Sequence, residues 1–238
     1  MIPICEYAQA LTPHPTDMSL RVGTPTEPLR LAVLISGGGS GMEALLHHVE
    51  ESQTSCHIPV LVLSDRLGIK GLSIAENYGI ENIAIPLLKS ISDPKIKRLK
   101  HEEMIEEQLM SHNIEAIILS GYMRLLTPNF VSKWEGRILN IHPSLLPKHP
   151  GAHAHQDVLS SGDTISGCTV HFVDSGVDTG AIISQSEVPV FPNDTLESLQ
   201  ERVKVIEHQL YPHVIDEFAE GKIRLSEGKV IRSDHLDY

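Results

Sequence analysis

Aromatic side chains are scarce: four Phe, one Trp and five Tyr make up 4% of the 238 residues. Packing must therefore be aliphatic, which suits a helix-covered sheet of Val, Ile and Leu better than an aromatic-rich binding surface. Cysteine is scarcer still. Cys5, Cys56 and Cys168 are scattered and odd in number, with no Cys-x-x-Cys pair. That argues against a disulfide framework and a thiolate zinc site, and points to a reducing, cytoplasmic compartment. Positive charge is short as well, with 19 Lys and Arg against 31 Asp and Glu and a formal net charge of −12. A general nucleic-acid binder is usually basic, so that class is set aside. A small anionic substrate remains open, because it asks only for local donors or cations. No apolar run approaches the roughly 18 to 20 residues of a membrane span. No basic segment followed by an apolar one marks a secretory signal.

What the chain does have is 41% hydrophobic residues, enough to bury a core in one large domain or two small ones. Residues 1–29, punctuated by Pro3, Pro13, Pro15, Pro25 and Pro28, read as an irregular extension, either a tail or an arm on a partner. Leu29 to Ile35 then reads as a buried strand. Met42, Leu45, Leu46 and Val49 follow at i, i+3, i+4 and i+7, the spacing of an amphipathic helix. The alternation continues with strands at 59–63, 83–85, 116–119 and 138–141 and helices at 71–78 and 95–112. Alternating strands and helices imply βαβ units and a mainly parallel sheet with right-handed crossovers. After Pro150 the pattern changes. Strands at 167–173 and 181–188 are joined by a polar loop and should pair antiparallel. A helix from Thr195 to Glu220 carries Leu199, Val203, Ile206 and Leu210 on one face, with Asp194 as the expected N-cap and Gly221 as the stop. Residues 222–232 suggest a small hairpin around Glu227-Gly228. The fold class is therefore α/β, a Rossmann-like sheet flanked by helices with an antiparallel C-terminal part.

Ligands on such sheets bind at the carboxyl ends of the strands. Two segments there stand out. Ser36-Gly37-Gly38-Gly39-Ser40-Gly41 links a strand to a helix, so loop amides and the helix N-terminus together offer donors and a partial positive charge to a phosphate. It is not a Walker loop, since no Gly-Lys-Ser/Thr follows. Nor is it a clean dinucleotide fingerprint, with Asp65 the nearest acid to a ribose. The second segment is Asn140-Ile141-His142-Pro143-Ser144-Leu145-Leu146-Pro147. Residues two apart on a strand share a face, so Asn140 and His142 project together. An amide donor and a proton carrier aimed at one point suit acyl transfer, which develops an oxyanion and must move a proton. Histidines also gather at 142, 149, 153, 155 and 171. No carboxylate or cysteine completes a familiar ligand spacing around them, so no metal is expected. Asp174 and Asp178 lie in a Gly-containing loop that reads either as a solvated turn or as the source of a carboxylate for His142.

Taken in order, Ser36 to Ser40, Gly121-Tyr-Met-Arg-Leu-Leu126, Asn140 to Pro147, Pro150-Gly-Ala-His-Ala-His155, His171-Phe-Val173, Val177-Asp-Thr-Gly180 and Glu207-His-Gln-Leu-Tyr-Pro212 resemble the folate-dependent glycinamide ribonucleotide formyltransferases of the formyltransferase family. The likeness covers roughly residues 30–225. It implies one formyltransferase-like domain over residues 30–238, with a phosphate-binding half to about residue 130 and a folate and catalytic half beyond. It implies formyl transfer from 10-formyltetrahydrofolate to the amine of glycinamide ribonucleotide in purine biosynthesis, with no metal, no nucleic acid and no membrane, and a possible homodimer.

By the same resemblance Asn140, His142 and Asp178 match the catalytic trio. Gly39, Ser40 and Gly41 match the substrate-phosphate loop, with Lys204 and Glu207 reaching the same substrate. Arg98, Met123, Arg124, Leu125, Leu126, Val131, Asn140, Asp174, Val177 and Asp178 match the folate pocket. Two departures stand out: Gly38 and Gly41 replace asparagines common in the family, and His149 replaces an aromatic. Formyltetrahydrofolate deformylases resemble the chain around the catalytic strand but carry His after the catalytic His and an N-terminal regulatory domain. Methionyl-tRNA formyltransferases follow the Leu-Pro with Arg-Gly-Ala and add an RNA-binding domain. A non-catalytic folate or phosphate binder on the same fold is the remaining alternative.

Overall fold

The computed structural model describes residues 20–52 and 54–233. The element order is β1 (Leu29–Ile35), α1 (Ser40–Glu51), β2 (His57–Ser64), α2 (Lys70–Asn77), β3 (Glu81–Ala84), α3 (Pro94–Ser111), β4 (Ala116–Leu119), α4 (Pro128–Lys133), β5 (Ile138–His142), α5 (Ala154–Ser161), β6 (Ile165–Phe172), β7 (Ile182–Pro189), α6 (Leu196–Ala219), β8 (Ile223–Ser226) and β9 (Lys229–Arg232). Seven strands form one sheet in the order β3-β2-β1-β4-β5-β6-β7. The first five are parallel. β6 and β7 are antiparallel additions, and β8 and β9 make the small hairpin.

Strand β1 shows why both faces are covered. Successive side chains of a strand alternate in direction. Leu31, Val33 and Ile35 pack with Met42, Leu45 and Leu46 of α1 and with Val214, Ile215 and Phe218 of α6. Ala32 and Leu34 face the other way, onto Ile105 and Leu109 of α3 and onto Phe130 and Trp134. A strand buried on both sides must be apolar throughout, which is why its seven residues carry one polar side chain, Arg30. A third cluster joins Val158 of α5 and Cys168 of β6 to Leu199 and Val203 of α6. Tyr211, fully inside, places its hydroxyl 2.8 Å from the Leu139 carbonyl and 3.1 Å from that of Leu119. That bond fixes α6 across the ends of β4 and β5.

Some expectations shift. Thr195, not Asp194, caps α6, accepting from the Ser198 amide in a reciprocal capping box. Asp194 is instead held by the Arg202 guanidinium, with both contacts at 2.7 Å, and by the Phe191 amide. Of the expected N-terminal extension, residues 1–19 lie outside the described residues. The remainder is tied down: Arg21 donates to Glu115 at 2.6 and 2.8 Å, and the Gly23 amide to the Ala219 carbonyl at 2.8 Å. Among the described residues no helix is long and apolar enough to cross a membrane.

Strand order reverses direction between β1 and β4, and a crevice opens at such a switch point. There the Ser36 amide donates to the Gly121 carbonyl and the Met123 amide to Ser36 Oγ, stitching the loops after β1 and β4 together. The glycine loop enters α1 through Gly39, at φ 76°. A Cβ there would meet Gly71 Cα at 2.7 Å. Position 39 therefore needs glycine twice over, for its left-handed backbone and for the close approach of α2. Gly39→Ala should lose about 2 kcal/mol of stability, read as a lowered urea midpoint; an unchanged midpoint contradicts this packing.

Candidate active site

Asn140 and His142 stand two residues apart at the carboxyl end of β5. Their setting is supplied by β6. In the β5–β6 register Asn140 faces His171, and Asn140 Nδ2 lies 3.1 Å from His171 Nε2. His171 Nδ1 lies 2.8 Å from the Phe172 carbonyl, which can only accept. Nδ1 therefore carries the ring proton, Nε2 is the acceptor, and the Asn140 amide must offer an N–H. Burial of the His171 ring pushes its pKa down, more than its bond to Phe172 and the nearby Asp178 raise it. A neutral, fixed imidazole thus orients the Asn140 amide, leaving its second N–H for a ligand.

His142 is buried. Its Nε2 lies 2.8 Å from the His149 carbonyl, so that nitrogen donates. Its Nδ1 lies 3.3 Å from Asp178 Oδ2. Asp178 reaches that position from the β6–β7 connection with φ 53°, unusual for a residue with a side chain. Its Oδ2 also accepts from the Gly151 amide at 2.7 Å, and its Oδ1 stands 3.7 Å from His171 Nε2. One carboxylate therefore touches the loop after β5 and sits between two imidazoles. With a carbonyl on one side of the His142 ring and a carboxylate on the other, a proton on Nδ1 relieves what would otherwise be lone pair against lone pair. Asp174 does not reach this group. It accepts from the Gly176 amide at 3.0 Å and from Thr179 Oγ at 2.8 Å, shaping the loop that carries Asp178. Val177, between them, is 44% exposed.

The helices bring in a second set. Lys204 and Glu207 lie three apart on α6 and so share a face. Burial pushes the half-buried Glu207 carboxyl up to about 7, against the pull of Lys204. His155, on α5, is pushed down by burial and then by the His142 and Lys204 charges. His155 thus links the β5 site electrostatically to the α6 pair. Its Nδ1 is buried with no hydrogen-bonding partner among the described residues.

A cavity of about 340 Å³ lies at the end of β4, lined by Leu87, Arg98, Tyr122, Met123, Leu125 and Leu126 together with Pro94, Lys97, His101, Glu102 and Arg124. Its size suits a small organic molecule. Leu119 pairs with Asn140, so this cavity opens beside the β5 site. Arg124 Nε donates to the buried Asp65 at 2.7 Å, so Asp65 serves Arg124 and holds its guanidinium. Five of the expected pocket residues, Arg98 and Met123 to Leu126, line the cavity. Val131 does not; it is buried within α4. Gly39, Ser40 and Gly41 form the turn into α1. A Cβ on Gly41 would stand 2.7 Å from Ser120 Oγ, a side-chain atom that would have to shift, whereas a Cβ on Gly38 would meet open space.

The residue that sequence reasoning left out of the site is His171. The signal was present: once the strands after Pro150 pair antiparallel with β5, a histidine opposite Asn140 is a cross-strand partner. His155 had no such signal, because its contact with the Lys204 charge depends on how α5 packs on α6.

Residues 29–215 match the family model described as formyl transferase. The chain is 39% identical over 198 residues to the phosphoribosylglycinamide formyltransferase of Haemophilus influenzae, covering 83% of this chain and 91% of that protein. It is 47% identical over 199 residues to the trifunctional purine biosynthetic protein adenosine-3 of Chironomus tentans, covering 83% of this chain but only 14% of that protein's length. Its structure is similar to that of glycinamide ribonucleotide transformylase 1 from Symbiobacterium toebii, with a TM-score of 0.79 and 36% identity over 87% of this chain and 95% of that one. The chain belongs to the formyl transferase family.

Proposed function

We propose that this chain transfers a formyl group from 10-formyltetrahydrofolate to the amine of glycinamide ribonucleotide, a step of purine biosynthesis. The observation that carries the reading is the 3.3 Å approach of the Asp178 carboxylate to the His142 ring, beside an Asn140 amide already oriented by His171. Two of these groups share the end of β5 and the third arrives from the β6–β7 connection, and they meet where a carbonyl would have to be polarised.

The residues divide the work. The glycine loop and the N-terminus of α1 take the substrate phosphate through backbone amides, which survive the glycines at 38 and 41. Lys204 adds a positive charge, and Glu207 accepts from the substrate's hydroxyls or amine. The cavity at 94–102 and 122–126 takes the folate, with contacts added from the loop that carries Asp174, Val177 and Asp178. Val131 supports that wall from within the core.

The free amine attacks the formyl carbon, and its carbonyl oxygen becomes an oxyanion. Asn140 donates its second N–H to that oxygen. His142 donates from Nε2, exchanging the neutral His149 carbonyl for a charged acceptor and so a stronger bond. The intermediate then collapses: the bond from carbon to the folate nitrogen breaks, and that nitrogen takes a proton as the new amide loses one. Asp178, facing both His142 and the site, holds the charge on the imidazole and can bind the water that relays the proton. No step calls for a metal. The two described cysteines are free, which supports a reducing, cytoplasmic setting.

Formylated product and free formate, followed with and without the ribonucleotide, test the function directly. Product that depends on the ribonucleotide supports transfer. Formate released without it indicates deformylation, and binding without either product indicates a non-catalytic binder.

Two variants test the roles. His142→Ala should lower kcat about a hundred- to thousandfold, the usual cost of one oxyanion donor, while the affinity for the ribonucleotide changes little; near-normal turnover contradicts the assignment. Glu207 gives a pH signature. Its raised pKa leaves it protonated below about 7, and a protonated carboxyl is the poorer acceptor. Ribonucleotide affinity should therefore fall about tenfold from roughly pH 8 to roughly pH 6, beyond the change shown by Glu207→Gln, which retains the titration of the substrate's own phosphate and amine. Parallel profiles for the two proteins contradict the role given to Glu207.

A further inference from the structure

A second cleft lies between α1 and α6. It is lined by Ser40, Glu43, His47, His48, His208 and His213, among others, and has a volume of about 560 Å³. The proposed reaction uses none of its histidines. His48 and His213 of this cleft and the neighbouring Asp216 each present a ligand atom, and the three atoms lie within 4.8 Å of one another. His48 comes from the last turns of α1. His213 and Asp216 are three apart on α6, so they share one face.

We propose that His48, His213 and Asp216 form a binding site for one divalent transition-metal ion of the zinc class. Two imidazoles and a carboxylate are a borderline donor set that suits zinc, cobalt or nickel and not magnesium or calcium. Three protein ligands leave a fourth, open position towards the cleft. The geometry is close to what such an ion needs. Donor atoms around a tetrahedral ion, with bonds of about 2.0–2.1 Å, stand a little over 3 Å apart. His48 Nε2 and Asp216 Oδ2 are now 2.6 Å apart and need to separate slightly. The His48 and His213 rings, with centroids 5.4 Å apart and planes at 52°, need to close slightly. His213 is exposed and free to turn.

The support behind these ligands is what separates the cluster from a chance grouping of surface histidines. The other carboxylate oxygen, Asp216 Oδ1, is held at 2.9 Å by Nε2 of the fully buried His57. A partner on the non-ligating atom fixes a ligand's direction and tunes its basicity, as outer partners do in metal sites. The nearby Glu43 and Glu51 add negative charge to the cleft, and His47 is turned away onto Glu51 at 3.3 Å.

A bound ion would clamp the end of α1 to α6. These are the helices that begin at the glycine loop and that carry Lys204 and Glu207, so the clamp would stiffen the ribonucleotide side of the site without joining the chemistry. Titration of the chelator-treated full chain with Zn²⁺ by calorimetry, and with Co²⁺ by its visible absorption, tests the proposal. One ion per chain at the tightest site, with a four-coordinate cobalt spectrum and a raised thermal midpoint, is the expected result. His213→Ala, at an exposed position that the fold tolerates, and His48→Ala should each weaken binding by at least about tenfold. His47→Ala, on the same helix but outside the cluster, should bind as the wild type does. No stoichiometric binding, or an equal loss in His47→Ala and His213→Ala, overturns the site and leaves the cluster as an ion pair between His48 and Asp216.

Discussion

Asp178 reaches His142 because the chain doubles back on itself. Strand β6 runs antiparallel to β5 and ends with Phe172 opposite Leu139, three residues before His142. The connection to β7 leaves the sheet at that level, so its carboxylate returns to His142 only by folding over the strand. The left-handed backbone of Asp178 is part of that reversal. Such a conformation is costly for a residue with a side chain, and the bond from the Gly151 amide helps hold it. The same pairing sets His171 against Asn140. Had the sheet stayed parallel through its sixth strand, the amide, the imidazole and the carboxylate would have had no common point.

Electrostatics then assigns different states to side chains of the same type. His171 and His155 are kept neutral chiefly by burial. His142, equally enclosed, has a carboxylate on one nitrogen and a carbonyl on the other. Glu207 sits at the turning point of its titration near neutrality, close to Lys204. His171, held neutral, orients the Asn140 amide, and the Asp178 carboxylate faces His142, the kind of preorganised environment that oxyanion stabilisation draws on.

Much of this was legible in the sequence. The apolar run of β1, the 3.6-residue spacing of α1 and the short strands at 116–119 and 138–141 announce a parallel α/β sheet through hydrophobic periodicity alone. The pairing of Asn140 with His142 follows from strand geometry. Asp178 does not: nothing in an acidic, Gly-containing loop distinguishes a solvated turn from one folded onto a strand, and only the family resemblance pointed to it. Asp194 shows the limit of capping rules. Asp and Thr are adjacent, both are good caps, and the choice fell to Thr195 because Arg202, two helical turns on, claims the aspartate. Long-range pairs such as Tyr211 with Leu139, or His57 with Asp216, have no local signature at all.

The account rests on one arrangement: Asn140, His142 and Asp178 surrounding the formyl carbon. The most direct measurement is a crystal structure of the full chain with glycinamide ribonucleotide and an unreactive analogue of 10-formyltetrahydrofolate. The account predicts the analogue's carbonyl oxygen within about 3 Å of both Asn140 Nδ2 and a ring nitrogen of His142, with the phosphate on the amides of Gly39 to Gly41. An analogue whose one-carbon end lies away from these side chains, with Asp178 turned to solvent, would contradict it.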